Sequence, residues 1–211
     1  NICETQPELL AHHYTEAGLI AQAVPYWQRA GQRAVQRFAH REAIGHLTKG
    51  LELLKGLPET PAHTQQELDL QTALGPAWMA AKGYAAPEVE QAYVRARELC
   101  RQLGETSRLF SVLRGLGAFY FVRGKYQTAR ELGEELLSLA QSPQDPARLL
   151  GAHQVLGIAW FWLGELASAR GHLEQAIALY DPQQHRSRAF RSGQEPVVLC
   201  RAYSAWVLGL L

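Results

Sequence analysis

The side chains best suited to binding a metal ion are eight histidines and three aspartates. His12 adjoins His13, and His40 lies six residues before His46, but no His-Glu-x-x-His pattern of the zinc hydrolases occurs. Most histidines without such a pattern are surface or half-buried residues. The sequence therefore predicts no metal site.

The aspartates offer little for catalysis. Asp145 and Asp181 each precede a proline at a proposed helix boundary, where a capping or turn role is sufficient. Asp69 is the one aspartate that remains, and a single aspartate is too few for a two-metal centre. A phosphate-binding loop and a Gly-x-Ser-x-Gly elbow are also missing from the sequence. We therefore expect neither catalysis nor a cofactor.

The cysteines indicate a cytoplasmic protein, and the overall charge argues against nucleic-acid binding. Cys3, Cys100 and Cys200 lie about a hundred residues apart without a CxxC pair, as expected of reduced thiols. A formal net charge of +1 provides no field for nucleic acid. The longest apolar stretches, 155–163 and 205–211, are shorter than the roughly 20 residues of a membrane span. Since Asn1 begins neither a signal peptide nor an ordinary open reading frame, we expect a piece of a longer protein.

Four arginines recur every four residues and so lie on one helix face: Arg29, Arg33, Arg37 and Arg41. Such a face could meet phosphates or an acidic partner. The alternative, favoured because the charge of the chain is balanced, is a solvated face that pairs with nearby glutamates.

Aromatic and aliphatic residues form a second recurring set. At about 100° per residue they lie on one face of three proposed helices, opposite the face that packs within a hairpin. In stacked hairpins this face lines a concave groove that suits an amphipathic helix or an extended peptide. The alternative is that the rings pack against neighbouring hairpins or an inserted loop. The predicted groove residues are Arg114, Phe121, Gln154, Ile158, Phe161, Trp162 and Trp206.

The elements that position these residues follow from an internal repeat. Two segments forty residues apart align at every landmark, beginning with Leu116-Gly117 in the first and Leu156-Gly157 in the second. The pattern matches the tetratricopeptide motif, whose period is about 34 residues. We expect Gly117 and Gly157 to permit close helix crossing, and Gly124 and Gly164 to end the first helix of each pair in a left-handed cap.

Periodicity and breakers predict an all-α chain of about ten helices, a tetratricopeptide-like superhelix of antiparallel hairpins. One domain, 1–211, is expected, with irregular hairpins over 1–104, regular repeats over 105–182 and a truncated repeat over 196–211. Pro76 falls inside a helix and predicts a kink near Thr72. The predicted helices are 7–17, 20–38, 41–56, 63–82, 87–103, 105–123, 126–141, 145–163, 166–180 and 196–211.

Two segments near the C-terminal end of the sequence are predicted to make contacts. Residues 199–211 resemble the first helix of a hairpin without its second helix, which predicts self-association through an uncapped apolar helix. The loop 181–195 is long and basic, and it is expected either to fold over the groove or to contact a partner.

A family resemblance adds to this reading. Residues 8–18, followed by 23–31 and 41–54, resemble the helical region after the ATPase domain in large bacterial signalling proteins, as does 180–186. Those proteins join a class III adenylate or guanylate cyclase domain, an AAA-like or STAND-type ATPase and a tetratricopeptide region. Similar segments also occur in ATPase-linked LuxR-type transcription regulators.

The resemblance implies a regulatory role rather than a catalytic one. We expect a non-catalytic scaffold that binds a protein or peptide and regulates an upstream ATPase or cyclase. The alternative is a small-molecule inducer site in the same groove, belonging to an ATPase-linked transcription regulator. An enzyme in its own right is the least favoured reading, because the catalytic motifs are missing.

Overall fold

A computed structural model of the chain describes residues 6–141, 145–182 and 196–211. Within these residues the secondary structure is entirely helical, which confirms the predicted fold class. The helices are α1 (Pro7–Glu16), α2 (Ile20–Gln36), α3 (His40–Leu54), α4 (Pro61–Lys82), α5 (Pro87–Leu103), α6 (Thr106–Val122), α7 (Tyr126–Ala140), α8 (Pro146–Trp162), α9 (Leu166–Ala178) and α10 (Pro196–Leu210).

The observed helix ends lie within about two residues of the predicted ones, and the largest shift at a helix start involves proline. Helix α4 begins at Pro61 rather than at residue 63. Proline is favoured in the first helical turn because a backbone N–H at that position has no acceptor within the helix, so its loss costs nothing. Thr60 caps this start, since its hydroxyl accepts from the His63 N–H at 3.2 Å. Asp145 caps α8 likewise, accepting from the Ala147 N–H at 2.9 Å.

The turn glycines adopt the predicted left-handed conformation. Gly124 has φ = 72° and Gly164 has φ = 84°. Beyond each glycine, the chain turns back onto the helix just ended: the Lys125 N–H donates to the Tyr120 carbonyl at 2.9 Å, and the Glu165 N–H donates to the Trp160 carbonyl at 3.0 Å. These bonds occupy carbonyls at the helix end, so each turn is determined by local sequence.

Phe38 occupies the same kind of turn without being glycine. Its φ is 60°, and the Ala39 N–H that follows donates to the Ala34 carbonyl at 2.9 Å. This cap ends α2 at Gln36, two residues before the predicted end. A left-handed conformation is unfavourable for a bulky residue, so Phe38 carries local strain.

Internal contacts divide the chain into two compact units, Asn1–Gly115 (unit 1) and Leu116–Leu211 (unit 2). Within unit 1, each of the helices α1 to α5 packs against its neighbour in sequence. Within unit 2, α7 packs on α8, α8 on α9, and α10 on both α8 and α9. Packing between consecutive antiparallel helices is the organisation of an α-solenoid. The expected boundaries of one irregular and one regular repeat region stay a prediction.

Each unit has its own apolar core. In unit 1 the core is centred on Leu47, Leu54 and Leu70, all almost completely buried. In unit 2 it brings together α8, α9 and α10 through Leu150, Leu173 and Val207. The last helix is therefore held by side chains on its buried face.

The two repeat glycines differ in their surroundings. A Cβ on Gly157 would lie 2.7 Å from Cγ of Leu173 and 3.2 Å from its backbone nitrogen, so this crossing does require glycine. A Cβ on Gly117 would meet only Cγ1 of Val155 at 3.7 Å, an ordinary contact. The expectation of a close crossing is thus wrong for Gly117. In the first repeat the tight position is Gly133, where a Cβ would lie 2.8 Å from Cδ2 of Leu156.

Helix α4 continues through Pro76, whose side chain is exposed. Proline leaves the carbonyl one turn earlier, at Thr72, without its usual helical donor. The Thr72 hydroxyl donates at 2.8 Å to the Leu68 carbonyl, within the same stretch of helix. The predicted kink near Thr72 stays a prediction.

Candidate functional site

Two tryptophans of unit 2 are unusually exposed. Trp162 ends α8 with 46% of its surface accessible, and Trp206 lies on α10 with 54% accessible. Large aromatic side chains bury much apolar area on binding, so exposed tryptophans are strong candidates for contact with a partner. Both residues were predicted to line a binding groove.

Phe161 connects the two tryptophans. Its ring centroid lies 5.7 Å from that of Trp162 and 6.1 Å from that of Trp206. Both distances are typical of interacting aromatic pairs. The structure therefore brings three predicted residues, from two helices, into one contiguous set.

Two tyrosines that the sequence analysis did not single out complete this set. Tyr126, at the start of α7, stacks on Trp162 with centroids 5.4 Å apart and planes 16° apart. Tyr203, on α10, packs edge to face against Phe161 at 5.2 Å and against Trp206 at 5.0 Å. Helical spacing was a usable signal for Tyr203, because it precedes Trp206 by three residues.

We call these residues and Phe121 the aromatic cluster. Phe121 belongs to it because its ring lies 5.7 Å from Tyr126 and 6.3 Å from Trp162. The members come from four helices of unit 2, so the cluster forms only when these helices are packed. The aromatic cluster consists of Phe121, Tyr126, Phe161, Trp162, Tyr203 and Trp206.

The inner part of the aromatic cluster also packs against the core. Phe121, Phe161 and the predicted groove residue Ile158 are partly buried against the core of unit 2. For these three, the alternative expectation of packing between hairpins is met, although they remain partly accessible. Trp162 and Trp206 thus form the exposed side of the cluster.

The other two predicted groove residues lie elsewhere. Gln154 is 7% exposed, so its amide is not presented to a ligand in this conformation. Arg114 belongs to unit 1, where its residue surface is largely accessible. Neither residue is part of the aromatic cluster.

A hydrogen bond fixes the orientation of the Trp162 indole. Its Nε1–H donates to the hydroxyl oxygen of Tyr203 at 3.2 Å. Because this bond joins α8 to α10, it holds the indole across the helix interface while nearly half of the residue stays accessible. An aromatic side chain held in one orientation loses little conformational entropy on binding.

The exposed face of α10 extends the apolar surface. Val197, Cys200, Tyr203 and Val207 are buried on one face of this helix. Burial raises the pKa of the Cys200 thiol to about 11, as expected of an inert structural cysteine. Several large side chains of the same helix are exposed: Val198, Leu199, Trp206, Leu208 and Leu210.

The helix hairpin of α8 and α9 contains a histidine pair that the sequence analysis missed. The Nδ1 atoms of His153 and His172 lie 2.9 Å apart, a distance at which one donates a hydrogen bond to the other. Burial lowers the pKa of both imidazoles, and the neighbouring His172 lowers that of His153 further. The charge of Glu134 opposes this effect at His172. The pair is therefore neutral near pH 7.

Two of the four arginines of the stripe in unit 1 make contacts within the protein, whereas Nη1 of Arg33 is buried without a hydrogen-bond partner. Arg37 pairs with Glu42 at 3.0 Å, and the guanidinium of Arg29 lies 5.3 Å from the centroid of the Tyr26 ring. These contacts favour the reading of a solvated, self-paired face.

Two features absent from the described ranges bear on other functions. No group of three or more His, Cys, Asp or Glu side chains is arranged to hold a metal ion in those ranges. Over the same ranges, no helix combines the length and apolarity that crossing a membrane requires. Cys3 and the loop 183–195 lie outside the described residues.

Comparison with known proteins identifies the fold of the chain. No family model matches the sequence. The chain is 25% identical over 206 residues to the uncharacterized protein R02095 of Rhizobium meliloti (strain 1021). This similarity covers 95% of the chain but only 20% of that protein, so the chain spans about one fifth of the length of its curated relative.

Two solved structures share the helical arrangement. The apo form of RapI matches with a TM-score of 0.68 at 14% identity, over 93% of this chain and 52% of that one. BtubC from P. vanneervenii matches with a TM-score of 0.63 at 16% identity, over 90% of this chain and 81% of that one. These likenesses and the packing of consecutive helices identify the fold as a tetratricopeptide-like α-solenoid.

Proposed function

We propose that this chain is a non-catalytic interaction module that binds a protein or peptide through the aromatic cluster. The observation that carries the proposal is the exposure of Trp162 and Trp206 on either side of Phe161. Binding energy at protein interfaces concentrates in a few aromatic residues surrounded by weaker contacts. The cluster supplies such residues on packed helices.

The chemistry of the surface indicates the kind of partner. Around the two tryptophans the exposed side chains of α10 are aliphatic, including Leu210 at 64% exposure. An amphipathic helix or an extended segment with apolar side chains would bury this surface. The polar side chains of such a partner would remain in solvent, as at the rim of most interfaces.

The proposed role is regulation of an ATPase or cyclase effector in a larger protein. Support comes from the resemblance of residues 8–18 and 41–54 to the helical region that follows such ATPase domains. The relative from Rhizobium meliloti, of which the chain spans 20%, has ample length for further domains. An ATPase-linked transcription regulator is the alternative context.

We also propose that α10 supports self-association. Its exposed aliphatic side chains, such as Leu208 at 57%, would be buried by a second copy of the same helix. Sedimentation velocity over a range of concentrations tests this, and Leu208→Lys should shift the distribution to monomer. A concentration-independent monomer, with full amide protection over 206–210, would rule self-association out.

A selection experiment tests the proposed function. A phage-displayed library of random dodecapeptides is panned against the immobilised chain, and the enriched peptides are then offered to a Trp162→Ala/Trp206→Ala variant. We expect enriched peptides to be rich in apolar residues and to lose binding to the variant. The matched control is Phe38→Ala, which removes an aromatic residue that is 83% exposed in unit 1.

Two outcomes would count against the proposal. One is the absence of enrichment over an unrelated helical protein. The other is equal binding by the double variant and the unmodified chain.

Small-molecule sensing on the aromatic cluster is the alternative, and it is tested by thermal shift with a metabolite panel. A ligand that binds only the folded state raises the melting temperature. A shift abolished in the double variant would favour that alternative.

A further inference from the structure

A polar pocket in unit 1 has features of a second binding site. Its volume is about 280 Å³, close to the lower end of the ~300–1,000 Å³ of small-molecule sites. All of its residues belong to unit 1, so it is separate from the aromatic cluster and does not rest on the proposed function. The lining residues are Gln28, Gln32, Asp69, Thr72, Ala73 and Arg108.

The pocket contains one charge of each sign. Arg108 Nη1 donates to Asp69 Oδ1, and the two side chains retain 40% and 24% of their accessible surface. A guanidinium has five N–H donors, of which this bond uses one. The pair is therefore neutral as a whole, but each partner has hydrogen-bonding capacity left for a ligand.

The residues that line the pocket supply three oxygen acceptors beside this ion pair. Gln28 Nε2 donates to Asp69 Oδ2 at 3.3 Å, which orients the amide and leaves Oε1 of Gln28 as its acceptor. The Thr72 hydroxyl donates to the Leu68 carbonyl at 2.8 Å, so its oxygen can accept a hydrogen bond. The remaining lone pair of Asp69 Oδ2 is the third acceptor.

We propose that this pocket binds a free α-amino acid. An ammonium group carries three donors, matching the oxygens of Gln28, Thr72 and Asp69. The carboxylate of the same ligand would accept from the remaining N–H groups of Arg108 and from the amide of Gln32, which is exposed at the rim. A zwitterion is charge-matched to a pocket holding one carboxylate and one guanidinium.

Titration of the intact chain with the proteinogenic L-amino acids tests the proposal. The readout is the ¹H–¹⁵N NMR signal of the side-chain amides of Gln28 and Gln32. We expect at least one amino acid to shift these signals saturably. Its N-acetyl derivative and its C-terminal amide, each lacking one charge, should bind at least about tenfold more weakly, the loss expected for a charged hydrogen bond.

Variants provide a second arm. Arg108→Gln should weaken binding at least about tenfold by the same argument, and Thr72→Val should weaken it with less effect on the ion pair. The matched control is Arg95→Gln, because Arg95 also pairs with a carboxylate of α4, that of Glu67 at 2.7 Å, but lies outside the pocket. The absence of any saturable shift, or binding of either blocked derivative as tight as that of the free amino acid, would overturn the proposal whether or not a variant folds.

Discussion

The indole Nε1–H of Trp162 donates a hydrogen bond to the hydroxyl of Tyr203 at 3.2 Å, joining the end of α8 to the middle of α10. The bond is only partly buried, so it both stabilises the packing of the last helix and orients an exposed ring. Structure and proposed binding therefore depend on the same pair of residues.

Removing the hydroxyl should separate these two contributions. We expect Tyr203→Phe to lower the free energy of unfolding by about 1 kcal/mol, because it deletes one partly buried hydrogen bond while keeping the ring. Urea denaturation followed by circular dichroism measures the change. In a double-mutant cycle with Trp162→Phe, the double variant should be destabilised by about 0.5–1 kcal/mol less than the sum of the two single variants, because both single variants lose the same bond. Strictly additive effects would show that the bond contributes nothing.

The two repeat glycines should respond oppositely to the same substitution. Gly157→Ala places a methyl group against Leu173 and its backbone, so we expect destabilisation by about 1–3 kcal/mol. Gly117→Ala has room for the methyl group and should stabilise α6 by up to about 1 kcal/mol, through the better helix propensity of alanine. Melting temperatures of the two variants decide the matter. Equal effects would contradict the difference in packing.

Replacing Phe38 with glycine should increase the stability of unit 1. A φ of 60° is unfavourable for a bulky residue but not for glycine. The Phe38 side chain is 83% exposed, so its ring contributes little packing energy. We expect Phe38→Gly to stabilise unit 1 by about 1 kcal/mol in chemical denaturation. A loss of stability would mean that the edge contact of Phe38 with His40 outweighs the strain.

The partly buried histidine pair predicts a pH dependence of stability. For both His153 and His172 the folded pKa lies below the unfolded value, so the unfolded chain binds more protons in acid. The stability contribution is complete above the unfolded pKa of about 6.5 and is lost as pH falls through the folded pKa. We expect the free energy of unfolding to decline as pH falls below about 6.5.

Substitution identifies the source of this decline. In a His153→Gln/His172→Gln variant the slope over this range should flatten. The matched control, His12→Gln/His13→Gln, also removes two histidines but from an exposed position, and it should retain the slope. An unchanged slope in the first variant would assign the dependence to other groups.

Local features of this fold could be read from the sequence. Gly124 and Gly164 were identifiable as left-handed caps because the capping bonds involve residues within one turn. Helical periodicity placed Trp162 and Trp206 on the face predicted to line a groove, and both side chains are accessible. Each inference required only the geometry of a single helix or turn.

Features that depend on which helices meet could not be read in this way. Tyr126 stacks on Trp162 thirty-six residues later, and His153 meets His172 across a hairpin, with no pattern in the sequence that pairs them. Periodicity placed Gln154 on the groove face, but packing buries it. Such outcomes depend on crossing distances, which a single position does not encode.

The most direct test of the account is the affinity of one selected peptide. Fluorescence polarisation of a labelled peptide from the phage selection gives Kd for the unmodified chain, the Trp162→Ala and Trp206→Ala variants, and the Phe38→Ala control. We predict that each tryptophan variant weakens binding at least about 30-fold, the effect of an interface hot spot, while the control binds as before. Equal dissociation constants for all four proteins would contradict the assignment of the aromatic cluster as the binding surface.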